Sequence, residues 1–376
     1  RQTDRQTDRQ TDRLSKRKSN IELLRIIAMF MIIMHHYGVH GDFPFTTAMT
    51  INKVFIQCFS FGGKVGVDIF VLITGFFMIT QTFRLKKLVK LICQIWFYSL
   101  AVLLFAFYKQ LDVVNFPNII QSVLPLGQTN WFAYTYILLY VFIPFFNPCL
   151  QNLNKQYYQG GLTLATVLWF VIPTFFNIWP KMPYLDMGGT PLLLFLYLYA
   201  LGAYIRLYGD TLILKVAHRL IGFGLAGMVC GILLVDFLSI SHHSFMQRNF
   251  YFIGEEYNLF ALCIGVGFFI YFLRTNIQYH RWINGLASTT FGIYLIHDSN
   301  LFRTYLWRHV FSNADFYHSV WLPVHAISAV LLVFFCGALI DWIRTQLFEK
   351  TMMKKLGPVC EQWQVRWNQV WCYYTK

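Results

Sequence analysis

Three features of this sequence predict an all-α, polytopic membrane protein of about ten crossings. The first is bulk composition. Of 376 residues, 56% are hydrophobic and 13% charged, where a soluble domain is nearer half apolar and about a quarter charged. Mean hydropathy is +0.47. The second is the series of apolar runs, at 19–40, 55–80, 88–108, 131–150, 162–179, 191–207, 216–238, 259–273, 288–306 and 320–344. Each approaches the ~20 residues that cross a bilayer. The third is the placement of positive charge at alternate short loops: Lys16 to Lys18, Lys155, then Arg206, Lys215 and Arg219, then Arg274 and Arg281, and finally Arg344 to Lys355. That bias predicts cytoplasmic termini. Arg303 and Arg308 run against it without an account from sequence.

The same charge pattern weighs against nucleic acid as a partner. The net charge of +14 is spread over loops and is not gathered into one basic patch. Eight cysteines form no CxxC pair, and most lie in apolar runs, where a free thiol behaves as a small hydrophobe. No disulfide framework and no metal site is expected. The first apolar run is full length and follows a polar tail, so no cleavable leader is expected. Domain organisation reads as a repeat tail with a basic anchor over 1–18, a membrane domain over 19–350 and a cytoplasmic tail over 351–376. The tail carries Trp363, Trp367 and Trp371, which share one face of a short interfacial helix.

The first crossing, SNIELLRIIAMFMIIMHHYGVH, carries Glu22 and Arg25 toward one end and His35 and His36 toward the other. Ionisable groups are costly in lipid and face protein or water. Arg25 and His36 are eleven positions apart, about three turns plus 20° and a rise of about 16 Å, so they share one helix face at opposite depths. His35 lies about 80° from that face. The plainer alternative places both groups at the two interfaces, with Arg25 snorkelling to the headgroups.

An arginine, ten residues and a histidine in the first membrane helix resembles the signature of the integral-membrane acyltransferase 3 family. Further stretches carry the resemblance. Gly66-Val67-Asp68-Ile69-Phe70 with Thr74-Gly75-Phe76 is similar to the family's glycine-rich GVDLFFVLSGF-like run, with Thr74 where serine is usual. Trp131-Phe132-Ala133-Tyr134, Leu139-Tyr140, Pro144-Phe145 and Asn147 match a WFLY…LY…PFLN pattern, and STTFGIYLIH, ending at His297, matches a late SxxSFGIYLIH helix. Each has a structural alternative: close helix packing for the glycines, an interfacial belt for the aromatics, and a satisfied buried side chain for His297. Where the family often carries an arginine pair, this chain has Arg84, Lys86 and Lys87, an R-x-x-K spacing that loses one bidentate fork.

The resemblance implies a bacterial cytoplasmic-membrane enzyme that moves an acyl group, usually acetyl from acetyl-CoA, onto a hydroxyl of a surface polysaccharide, a lipopolysaccharide or a lipid-linked precursor. Arg25, with Arg84, Lys86 and Lys87, is then expected to hold the CoA phosphates. His36 is expected to act as the base or as an acyl carrier, with Asp68, Glu22 or His297 supporting it. The rival class is a transporter or flippase for a glycan precursor, which also needs many helices and a few buried charges.

Residues 1–13 read RQTD three times and then Arg, a polar, low-complexity tail. Arg-Gln-Thr-Asp is what the tetranucleotide AGAC spells across all three frames, and such tracts commonly switch bacterial surface structures on and off by frame shift. The alternative is an in-frame duplication without consequence.

Overall fold

The computed structural model describes residues 19–124, 130–180, 190–209 and 216–374. The RQTD repeat, its basic anchor and Lys215 lie outside them. Among the described residues every regular element is helical. The helices that build the bundle are α1 (Ser19–Val39), α2 (Ile51–Phe59), α3 (Gly62–Met78), α4 (Leu85–Tyr108), α5 (Phe116–Val123), α6 (Trp131–Asn152), α7 (Lys155–Thr166) and α8 (Pro191–Tyr208). They continue with α9 (Ala217–Ser241), α10 (Leu259–Arg274), α11 (Arg281–Ala287), α12 (Thr290–His297), α13 (Leu322–Arg344) and α14 (Lys350–Tyr374). Nine segments among the described residues are long and apolar enough to cross a membrane.

The expected crossing at 288–306 is not one continuous helix. α11 and α12 are separated by a short turn, α12 ends at His297, and the chain turns again through 298–302. The crossing expected at 55–80 is likewise two helices broken at Ser60 and Phe61. The one expected at 162–179 starts at Lys155 and passes through a π turn over Val167–Val171 into Ile172–Phe176. Pro173 sits just beyond that turn; proline cannot donate to the preceding turn, and a wider turn absorbs the loss. α13 runs on through a second π turn, Thr345–Glu349, into α14, so the tail is one long helix to Tyr374.

α1 stands at the centre. It packs on α3, α10, α11 and α13, with buried residues on every face, among them Glu22 and His35. The apolar core divides around it: Ile26, Met29 and Ile33 belong to one cluster, Leu24, Ala28 and Met31 to the other. A helix that carries charges is tolerated here because protein surrounds it.

The glycine-rich start of α3 lets that helix lie directly on α1. A Cβ on Gly63 would fall on the ring of His35, and one on Gly66 would come 2.6 Å from the Ala28 carbonyl. The far end of α3 crosses α8 through a reciprocal pair: a Cβ on Gly75 would meet the Tyr199 backbone, and one on Gly202 the Leu72 backbone. Of the two readings open for these glycines, packing accounts for them.

α6 explains its asparagine. Asn147 Nδ2 donates to the Met78 carbonyl at 2.9 Å, Gln151 Nε2 donates to Ile79 at 2.6 Å, and Tyr199 OH donates to Asn147 Oδ1 at 2.6 Å. The amides thus satisfy carbonyls at the C-terminal end of α3 that have no intrahelical partner. At the other end of the bundle, Lys53 and Asp236 form a fully buried ion pair at 3.0 Å, with Gln57 also donating to Asp236.

Replacing Gly202 by alanine should lower thermal stability in detergent, by about 1–3 kcal/mol, the usual cost of forcing a methyl into a packed contact. Gly160→Ala in α7 has nothing within 4 Å of the new Cβ and should be neutral or stabilising by up to ~1 kcal/mol. Equal thermal shifts in the two variants would contradict the close α3–α8 crossing.

Candidate active site

The Arg25 face of α1 opens on two adjoining cavities of about 570 and 400 Å³. Both are lined by Arg25, Thr74, Leu91 and Tyr136, so they meet at the arginine. The larger reaches Gln81 and Lys87. The smaller continues along α1 past Met29 and Ile32 to Phe132 and Tyr294. Arg25, Met29 and Ile32 are spaced i, i+4 and i+7, and His36 is the next residue on that stripe. Tyr294 closes the inner end: its ring meets Phe132 edge-on at 5.3 Å and His297 at 6.1 Å and 90°.

Behind that tyrosine lies the histidine pair. His36 Nδ1 and His297 Nε2 are 2.9 Å apart, and His297 Nδ1 is 2.7 Å from the Ile293 carbonyl. The directions of these bonds follow from elementary chemistry. A carbonyl oxygen only accepts, so His297 Nδ1 carries a proton and donates. In a neutral imidazole the other nitrogen is then the acceptor. His36 Nδ1 must therefore be the donor, which leaves the lone pair of His36 on Nε2.

That Nε2 is 3.6 Å from Asp298 Oδ1. His40 Nε2 approaches the same oxygen at 3.8 Å and Arg303 Nη1 at 3.6 Å. Asp298 is buried, and its Oδ1 has no hydrogen bond among the described residues. The distances are too long for hydrogen bonds but short enough for a carboxylate to stabilise a proton arriving on His36.

The expected site residues divide sharply. His36 and His297 come together, and Arg25 reaches the same helix face through the cavities. Glu22 pairs with Arg25 at 3.3 Å and not with His36. Asp68 is buried beside Gly265, and among the described residues neither carboxylate oxygen is hydrogen-bonded and no hydrogen bond or ion pair joins it to Arg25 or His36. Lys87 shares a cavity with Arg25, while Arg84 and Lys86 line a different one. His35 faces away: its Nδ1 is 2.9 Å from the Ser60 carbonyl.

Sequence reading missed Asp298, Arg303 and His40. A signal was present for each. His40 follows His36 by one helical turn, Asp298 follows His297 directly, and Arg303 breaks the positive-inside pattern because its partner is a buried carboxylate. Arg308, the other exception, pairs with Asp42 at 3.2 Å. Lys90 also lines the inner cavity and pairs with Glu349 at 2.6 Å.

His36, His40 and Asp298 each place a donor atom within 4.8 Å of the others, a set that fits a divalent cation. His36 would offer the same Nε2 lone pair, so a cation there would remove the base.

The site is a paired histidine set behind a cavity that starts at Arg25, inside a bundle of helices long and apolar enough to cross a membrane. The chain belongs to the acyltransferase 3 family: the model of its acyltransferase domain matches residues 18–342. It is an acyltransferase of the membrane. No curated protein and no solved structure matches it.

His35→Ala removes a packed ring and strands a buried carbonyl, and should cost roughly 1–3 kcal/mol of stability with partial loss of activity. His36→Ala strands the buried His297 Nε2 and should cost a similar amount, but with loss of nearly all activity. Transfer rates of the two variants below their unfolding temperatures check the division, and a larger rate loss in His35→Ala would refute it.

Proposed function

We propose that this protein transfers an acetyl group from acetyl-CoA to a hydroxyl of a bacterial surface polysaccharide or lipopolysaccharide. The observation that carries the reading is the lone pair on His36 Nε2, presented one turn beyond a cavity that starts at Arg25. On this reading the Arg25 end faces the cytoplasm of a bacterial inner-membrane protein with both termini inside. Arg25 and Lys87 hold donor phosphates at the mouth, since guanidinium and ammonium groups suit that charge. The flexible pantetheine arm lies along Met29 and Ile32 and brings the thioester to Tyr294 and His36.

The chemical step then needs one base. The acceptor hydroxyl gives its proton to His36 Nε2 as its oxygen bonds to the thioester carbonyl carbon. The carbon–sulfur bond breaks, and the CoA sulfur takes the proton back from Nε2. His297 holds the ring by accepting from Nδ1–H throughout, and Asp298 stabilises the imidazolium between the two transfers.

Purified protein should release CoA from acetyl-CoA when supplied with surface glycan, and His36→Ala should lower the rate about 10²–10⁴-fold, the usual worth of a general base. A flippase would release none. Mass spectrometry of glycans from strains with and without the gene identifies the acceptor. Colonies differing by one AGAC unit should differ in acetylation if the tract switches expression; unchanged acetylation would remove the switching claim alone.

A further inference from the structure

Beyond residue 342, where the family match ends, α14 folds back on the bundle. It packs along the start of α4. Gln364 Oε1 accepts from the Leu85 N–H at 2.6 Å, Lys86 pairs with Glu361 at 3.0 Å, and the rings of Phe83 and Trp367 stand 6.5 Å apart at 42°. Together α14 and the basic loop enclose a cavity of about 870 Å³, with Arg84 and Lys86 on one wall and Glu361, Gln364 and Trp367 on the other.

Three properties of this cavity point to one class of ligand. Its lining is net cationic: Arg84, which forms no ion pair among the described residues, and Lys86 face a single acid, Glu361, and the first turn of α4 holds no acidic residue. Cations there oppose the positive end of the helix dipole, so an anion in the cavity relieves both. It carries two aromatic rings, Phe83 and Trp367, tilted 42° to each other with centroids 6.5 Å apart, and the Trp367 side chain on the α14 wall is exposed. It neighbours the Arg25 cavities: Gln81 lines both this space and the next. The volume lies within the range of small-molecule sites, about 300–1,000 Å³.

We propose that α14 completes a subsite for the nucleotide end of the acyl donor, with the adenine base against Trp367 and the 3′-phosphate on Arg84 and Lys86, while the diphosphate reaches Arg25 and Lys87. This rests on the acyl-CoA reading above and assigns part of the donor site to a segment outside the family domain. The ligand runs from this cavity past Gln81 to Arg25, and its thioester end continues toward His36. Glu361 holds Lys86 while the site is empty and is displaced when phosphate arrives.

Calorimetry of CoA and of pantetheine binding to the full purified chain tests this. Trp367→Ala should weaken CoA roughly tenfold, the size of one lost base stack, and leave pantetheine unchanged. Glu361→Gln removes the carboxylate that competes with phosphate and should tighten CoA about two- to fivefold by relieving an exposed ion pair, a gain that misfolding cannot mimic. Parent-like CoA affinity in both variants would overturn the role of α14 while leaving the donor reading intact. Failure of the parent to bind CoA would overturn both.

Discussion

The cost of carrying Glu22, Arg25, His35 and His36 on one apolar helix governs the architecture. α1 cannot face lipid with these groups, so α3, α10, α11 and α13 enclose it. Enclosure requires close approach, and close approach requires the glycines of α3. Gly63 gives His35 its place, and Gly66 lets α3 reach the Ala28 backbone. The packing that makes the helix tolerable also leaves one stripe of it unfilled, from Arg25 through Met29 to Ile32. Stability and site are two results of the same constraint.

Hydrogen-bond direction then sets the chemistry. A single backbone carbonyl, that of Ile293, can only accept. It orders His297, which orders His36, and the lone pair is delivered to Nε2 without a carboxylate in the chain. Asp298 lies on the far side of the ring, 3.6 Å from Nε2. His297 ends α12 and Asp298 caps it, the Asp298 N–H still bonding the Tyr294 carbonyl at 3.1 Å, and the chain turns away only after them.

Much of this is legible in the sequence. Helical periodicity alone puts Arg25 and His36 on one face and His35 off it, and composition alone identifies a polytopic helical protein. The breaks inside apolar runs have local signals that overall hydropathy hides: Asp298-Ser299-Asn300 interrupts 288–306, and Gly62-Gly63 follows Ser60 and Phe61. Asp68 misled for another reason. A buried acid in a glycine-rich run invites a functional role, but only the angle of α3 against α10 decides that it faces Gly265. The tail's single face of tryptophans suggested an anchor; docking against Phe83 and Leu85 depends on the π turn at Thr345–Glu349, which no local pattern announces.

The central claim is that His297 acts on the reaction only through His36. A double-mutant cycle on the acyl-transfer rate measures it directly. His297→Ala in the parent should slow transfer by about tenfold or more, through loss of the Nδ1–H acceptor that fixes the His36 tautomer. In the His36→Ala background the same change should have no further effect. Independent, additive losses would mean that His297 touches the reaction by another route and would contradict the account.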